Sequence, residues 1–316
     1  MSQAIKIFQP GARIPRRHCV MLHPALAALP MHDAQAPFTR FGPEDPISPL
    51  IIAVPHAGRD YPAELIEAAA IPRARLEALE DRLADELISE AIVQGATAFV
   101  AHRARAWIDL NRDERELDPQ MIEPSVRPPA TIGSAKVRGG LGLIPRRIAG
   151  SGEILRRRLT AAEAESRILL DHRPWHGALA EALAAARARF GIAILLDCHS
   201  MPPIARDSHG NAPRIVIGDR YGRSAAGHFV DRVAALADSA GLHCSRNSPY
   251  AGGYTLDRHG EPASNVHAIQ IEIDRSLYLA PDLRSAGPGM SRMVSFVAEL
   301  ASALIDEALP VARAAE

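Results

Sequence analysis

The sequence predicts an α/β protein, a three-layer sandwich with a mixed, mostly parallel central sheet. Three observations support this. Strand-like and helix-like segments alternate along the chain. The strongest strand candidates, LIIAVP (50–55), IAILLD (192–197) and RIVIG (214–218), are nearly continuous apolar runs, the pattern of strands covered on both faces. With 316 residues, 47% of them hydrophobic and 23% charged, the chain is long enough for one large domain or two ordinary ones, and no repeat or Ser/Gly linker divides it.

Taken in order, residues 1–45 mix prolines, glycines, histidines and charges without a sustained period and read as an N-terminal extension or arm. Residues 46–310 read as a single domain. The run at 50–55 is stopped by Pro55 and Gly58. Residues 73–94 read as one helix with Leu76, Leu79, Leu83, Leu87 and Ile88 on its apolar face. ATAFVA (96–101) and AWIDL (106–110) follow as strands, and 113–150, rich in Pro, Gly and Arg, as a long loop. Thr160 and Glu163 form a capping box opening a helix. Pro174 interrupts that helix or separates it from a second at 175–189, which stops before Gly191. Beyond the runs at 192–197 and 214–218 come a helix at 221–239, a strand at 267–273 and a last helix at 290–308.

Composition excludes several function classes. A formal charge of -1 and 4% aromatics leave no basic field or stacking surface for nucleic acid. Lys6 and Lys136 are the only lysines, so Schiff-base chemistry starts with few candidates. Three widely spaced cysteines, Cys19, Cys198 and Cys244, suggest neither a disulfide framework nor a zinc ribbon. No apolar run reaches the ~18 residues of a membrane helix, and the N-terminal apolar stretch is broken by His23 and Pro24, so a cytoplasmic protein is expected. Its assembly is expected to be a monomer or small homo-oligomer.

Chemistry gathers at strand ends. His56 and His199 each follow an apolar run, 143 positions apart, and ligands of open α/β sheets bind at the carboxyl ends of strands. Such histidines suit a metal, and a hydrolytic zinc site wants a third ligand. Asp60, Glu80, Asp81 and Asp85 are the nearby carboxylates, with Asp81 and Asp85 one helical turn apart. In WIDLNRDER, Asn111 and Arg112 leave a strand with the amide and guanidinium that grip a carboxylate. Glu272 stands between Ile271 and Ile273 in an apolar strand, where a desolvated carboxyl makes a general base. Cys198 and His199 point to opposite faces and form no nucleophile–base couple. Gly252 and Gly253, like Gly139, Gly140 and Gly142, read as flexible binding loops.

Five blocks in one order, VPHAGRDYP (54–62), IDLNRDERELDP (108–119), LLDCHSMP (195–202), SPYAGGYT (248–255) and QIEIDRSLYL (270–279), resemble the N-formylglutamate amidohydrolase family. The resemblance runs from about Pro46 to about Leu304. It implies a fold similar to zinc carboxypeptidases and aspartoacylases and a single catalytic domain over 46–310. It implies one Zn2+ per chain, with His56 and His199 as ligands. The carboxypeptidase pattern has a glutamate three residues after the first histidine, where this chain has Arg59, so the third ligand is expected to be Asp81, with Asp85 next. Glu272 matches the family's catalytic glutamate, and Asn111-Arg112 a carboxylate-gripping pair. Arg275 is a candidate for the second carboxylate, and Arg59 or Arg105 for the oxyanion. The implied reaction is hydrolysis of a small anionic N-acyl amino acid, foremost N-formyl-L-glutamate, to formate and glutamate. The alternatives are a zinc hydrolase for another N-acyl amino acid or short peptide, and a non-catalytic binding protein retaining the fold.

Overall fold

The computed structural model describes residues 36–124, 130–205 and 212–309. Residues 1–35, the greater part of the expected arm, lie outside them. Nine strands occur among the described residues: β1 (Phe38–Phe41), β2 (Leu50–Val54), β3 (Thr97–Ala101), β4 (Arg147–Ile148), β5 (Gly152–Glu153), β6 (Ala193–Met201), β7 (Ile215–Gly218), β8 (Cys244–Arg246) and β9 (Val266–Asp274). Seven form one sheet in the order β1-β3-β2-β6-β9-β7-β8, and β4 and β5 make a small ribbon. β3, β2, β6 and β9 run parallel, whereas β1 is antiparallel to β3 and β7 to β9. The mixed, mostly parallel sheet is as expected. Residues 38–41, assigned to the arm by sequence, form its outer strand.

The sheet separates two apolar cores, which gives the three layers. Successive strand residues alternate between them, as the two-residue period of a strand requires. Ile52, Leu196, Cys198, Ile217, Ile271 and Ile273 pack on one side with the helices Gly227–Ser239 and Met290–Ala308. Ile51, Ala53, Phe99, Leu195 and Ala268 pack on the other with the helix Arg173–Phe190. Burying strands on both faces is what selects continuous apolar runs. Cys198 and Cys244 are free thiols. No helix among the described residues is long and apolar enough to cross a membrane.

Several sequence expectations require correction. Residues 73–94 are not one helix: short helical pieces at Arg73–Leu76, Glu77–Leu79, Ala84–Leu87 and Ser89–Val93 are broken by a turn in which Leu83 adopts a left-handed φ of 57°. Glu80 and Asp81 in that turn are buried, and partners elsewhere in the fold satisfy them better than a helix surface would: Tyr61 Oη donates to Glu80, and the Asp81 amide donates to the His56 carbonyl at 2.9 Å. The segment 106–110 is irregular instead of a strand. Its backbone groups are satisfied one by one, with the Asp109 amide donating to Leu143 O at 2.7 Å and the Leu110 carbonyl bound by His176 Nε2 at 2.9 Å. Pro174 does not separate two helices either. A π-helical stretch, Ile168–His172, joins Ala161–Arg167 to Arg173–Phe190, and the wider turn accommodates the missing N–H.

Candidate active site

β2, β6 and β9 point the same way, so their carboxyl ends meet at one edge of the sheet. In β6 the side chains on one face run Ala193, Leu195, Asp197, His199. In β9 they run Ala268, Gln270, Glu272. The register pairs Asp197 with Gln270 and His199 with Glu272. One sheet face therefore changes from apolar to polar along its length, and all four polar side chains are buried. His199, Gln270 and Glu272 face a cavity of about 380 Å³ that His56, Asp81 and Arg105 also line, while Asp197 lies buried behind it.

His56, just beyond β2, lies with its ring centroid 4.7 Å from that of His199. Asp81 reaches between them: Oδ2 is 2.9 Å from His199 Nδ1 and 3.5 Å from His56 Nδ1. One donor atom from each residue falls in a group within 4.8 Å. His56 Nδ1 is buried without a hydrogen-bond partner among the described residues, an arrangement that costs free energy unless something else binds there. Two imidazole nitrogens and a carboxylate oxygen are the donor set of a hydrolytic zinc site, and these residues fit one.

The surroundings match that reading. His56 Nε2 is 2.7 Å from Asp109 Oδ1, and His199 Nε2 is 3.0 Å from Asp197 Oδ2. A carboxylate behind each imidazole fixes its tautomer and turns Nδ1 toward the cluster. Arg275 donates to Asp81 Oδ1 at 3.0 Å, leaving Oδ2 to the histidines. Burial opposes ionisation of Asp81, but His199 and then His56 outweigh it and hold its carboxyl well below the usual range. Burial likewise opposes the charge on His199, yet Asp197 and then Asp81 raise its pKa well above the ordinary imidazole value. Glu272 behaves in the opposite way. Burial, helped by the charges of Asp81 and Asp197 and resisted by His199 and Arg105, pushes its carboxyl up to about 7.

A model of the family described as N-formylglutamate amidohydrolase matches residues 48–279, more than two thirds of the chain. The chain belongs to the N-formylglutamate amidohydrolase family. The crystal structure of an N-formylglutamate amidohydrolase from Ralstonia eutropha superposes with a TM-score of 0.79 at 33% identity, covering 89% of this chain and all of that one. N-formylglutamate deformylases of Pseudomonas putida and Pseudomonas aeruginosa are each 29% identical, over 73% of this chain and 82% of theirs.

Most of the residues singled out by sequence meet in this cavity. His56, Asp81, His199, Glu272, Arg105 and Arg112 line it, as do Asn111, Arg275, Gly252 and Gly253. Arg59 does not. The Asp60 amide donates to His102 O at 2.9 Å, and a Cβ at Gly58 would lie 2.1 Å from Arg103 O, so this stretch is clamped against the chain beyond β3. There Arg59 pairs with Asp85, donating to Oδ1 at 3.0 Å. That pair removes Arg59 as an oxyanion donor, and Asp85 is absent from the donor cluster. Asp60 and Glu80 are also taken, by Arg103 and by Tyr61 and Arg82.

Asn111 serves the frame of the site. Its Oδ1 accepts from the Thr255 amide at 2.9 Å, and its Nδ2 lies 3.2 Å from Gln270 Oε1 and 3.3 Å from Asp197 Oδ2. Gly253 is small for close approach, not for flexibility: a Cβ there would lie 2.3 Å from Asn111 Oδ1. Four residues were not singled out as site residues. Asp197 and Gln270 share the two-residue period of His199 and Glu272, and Asp109 sits inside the IDLNRDER block, so each carried a legible signal. Lys136, which also lines the cavity, carried none.

Proposed function

We propose that this chain hydrolyses the amide bond of N-formyl-L-glutamate, giving formate and L-glutamate, with one zinc ion held by His56, Asp81 and His199. The observation that carries the reading is the buried His-Asp-His donor cluster opening into the same cavity as Glu272, a carboxyl whose pKa lies near 7. Family membership and the names of the relatives supply the substrate. A zinc ion at that position supplies Lewis-acid chemistry, lowering the pKa of water toward ~7 and polarising the formyl carbonyl.

The protein's own groups do the rest. Gln270 Nε2 donates to Glu272 Oε1 at 2.8 Å, which orients the carboxylate and leaves Oε2 to move the proton. Glu272 takes the proton of the attacking water and hands it to the departing amine nitrogen as the C–N bond breaks. Arg105, anchored on Asp109 at 2.9 Å, presents fixed positive charge where the carbonyl oxygen becomes negative. Arg112 and Arg275 offer guanidinium groups to the substrate's carboxylates.

A panel tests this: N-formyl-, N-acetyl- and N-succinyl-L-glutamate and N-formyl-L-leucine, each with zinc-loaded and chelated protein. The expected result is zinc-dependent turnover with N-formyl-L-glutamate preferred. Equal rates on N-formyl-L-leucine would contradict recognition of a dicarboxylate, and no turnover above the chelated protein on any substrate would contradict the activity.

A further inference from the structure

Lys136 is the one lysine among the described residues, and it stands on the cavity. It lies in a single helical turn, Ala135–Arg138, capped by Ser134 Oγ, which accepts from the Val137 amide at 3.2 Å. One residue ties it to Arg112: the Leu141 N–H donates to Lys136 O at 2.8 Å, and Leu141 O accepts from Arg112 Nε at 3.0 Å. The fold thus brings two cations to the same cavity. Arg112 and Arg105 already share one carboxylate, Asp109, at 3.8 and 2.9 Å. No carboxylate among the described residues forms an ion pair or hydrogen bond with the Lys136 ammonium. Among the described residues Arg105, Arg112 and Lys136 thus have one directly paired carboxylate, Asp109, between them, while Glu272 and Asp81 act at longer range.

Such an arrangement is electrostatically unfavourable when empty. Burial and then the charges of Arg112 and Arg105 lower the Lys136 pKa. The imbalance is relieved when an anion enters. Depth decides which anionic group it is. Arg112 is buried and Arg105 nearly so, whereas Lys136, only partly desolvated, is more exposed than either. In an N-formyl dicarboxylic amino acid, the α-carboxylate sits next to the scissile amide and the side-chain carboxylate lies farther out.

We propose that Lys136, lying outward of Arg112, binds the substrate's side-chain carboxylate and sets the preference for a dicarboxylic over an uncharged amino acid. This rests on the activity proposed above. Lysine suits the position because a compact charge on a long, rotatable stem can follow a flexible side chain, whereas the guanidinium groups of Arg105 and Arg112 are more buried.

The test compares zinc-loaded wild type, Lys136→Met and Lys136→Arg on N-formyl-L-glutamate and N-formyl-L-glutamine, which differ in the side-chain charge. The selectivity ratio, kcat/KM for the glutamate over the glutamine substrate, is expected to fall roughly 10- to 100-fold in Lys136→Met, mostly through KM, the scale of one hydrogen bond to a charged group. Lys136→Arg should recover most of it. An unchanged ratio, or equal losses on both substrates, overturns the role of Lys136 while leaving the activity standing. Wild type that turns over neither substrate overturns the activity itself. A second measurement needs no variant. Saturating L-glutamate should slow amine-reactive labelling of Lys136, but not of Lys6, as read by peptide mass spectrometry. Equal labelling of Lys136 with and without L-glutamate overturns the proposal.

Discussion

Substituting Gln for Glu272 keeps the side chain's shape and an acceptor for the Gln270 amide, 2.8 Å away, while removing the group that can take a proton. Two consequences run in opposite directions. Turnover by the zinc-loaded protein should fall by ~10²- to 10⁴-fold, the usual contribution of a positioned general base. Stability of the metal-stripped protein should rise. Burial pushes the Glu272 carboxyl from 4.5 up to about 7 in the folded state. A raised carboxyl binds its proton more tightly when folded, so its contribution is fully present below about pH 4.5 and is lost as pH rises through about 7. At ~1.4 kcal/mol per pKa unit, the wild type gives up as much as about 3 kcal/mol by pH 8, which the glutamine variant does not. Urea unfolding of both metal-stripped proteins at pH 5 and pH 8, beside kcat of the zinc-loaded forms, reads both effects. The variant should gain little at pH 5 and most at pH 8. Turnover within about tenfold of wild type would refute Glu272 as the base. A stability difference independent of pH would refute its desolvation.

Other outcomes follow from the same geometry. The metal-free His199 ring holds its proton well above the usual range, because Asp197 and then Asp81 overcome burial. That stabilisation is present below the unfolded imidazole pKa and is lost as pH rises through the raised folded value. Zinc must take Nδ1 from the proton, so binding near pH 7 should release about one proton or more, and affinity should rise with pH. Calorimetry in buffers of different ionisation enthalpy measures this, and identical heats would contradict it. Asp109→Asn should weaken zinc binding about 10- to 100-fold by loosening His56, and cost about 3 kcal/mol or more by leaving Arg105 without its counter-charge. Chelator competition and urea unfolding read the two effects, and unchanged zinc affinity would show that His56 needs no support from Asp109. Gly253→Ala pushes a methyl group to 2.3 Å from Asn111 Oδ1, so the Asn111 frame must shift, at a cost of about 1–3 kcal/mol and most of the turnover. Wild-type kcat and melting temperature in that variant would contradict the role given to the frame.

What was legible in the sequence was what obeys a local period. The runs at 50–54, 193–197 and 215–217 announced doubly covered strands, and His56, His199 and Glu272 stood out because polar residues at such strand ends are rare without a purpose. The long leucine period over 76–88 misled for the converse reason. Its apolar positions are helical in spacing, but Glu80 and Asp81 between them are buried by partners more than 18 residues away, and that preference broke the helix. Arg59 failed as an oxyanion donor because a close backbone approach at Gly58, invisible in sequence, set its surroundings. Lys136 was passed over because lysine scarcity pointed away from lysine chemistry, and only the fold, through Leu141 bonded to both Lys136 and Arg112, gives it a place. The trace of β1 was lost in a Pro-rich N-terminal region, since a four-residue, half-buried edge strand has no apolar run to announce it.

Asp81, not Asp85, is the proposed third zinc ligand beside His56 and His199. Metal analysis of wild type, Asp81→Asn and Asp85→Asn, each purified without chelator and then equilibrated with limiting zinc, tests it directly. The wild type and Asp85→Asn should hold about one zinc per chain, while Asp81→Asn should hold far less and lose turnover. Full zinc and turnover in Asp81→Asn, or no zinc in the wild type, would contradict that ligand set.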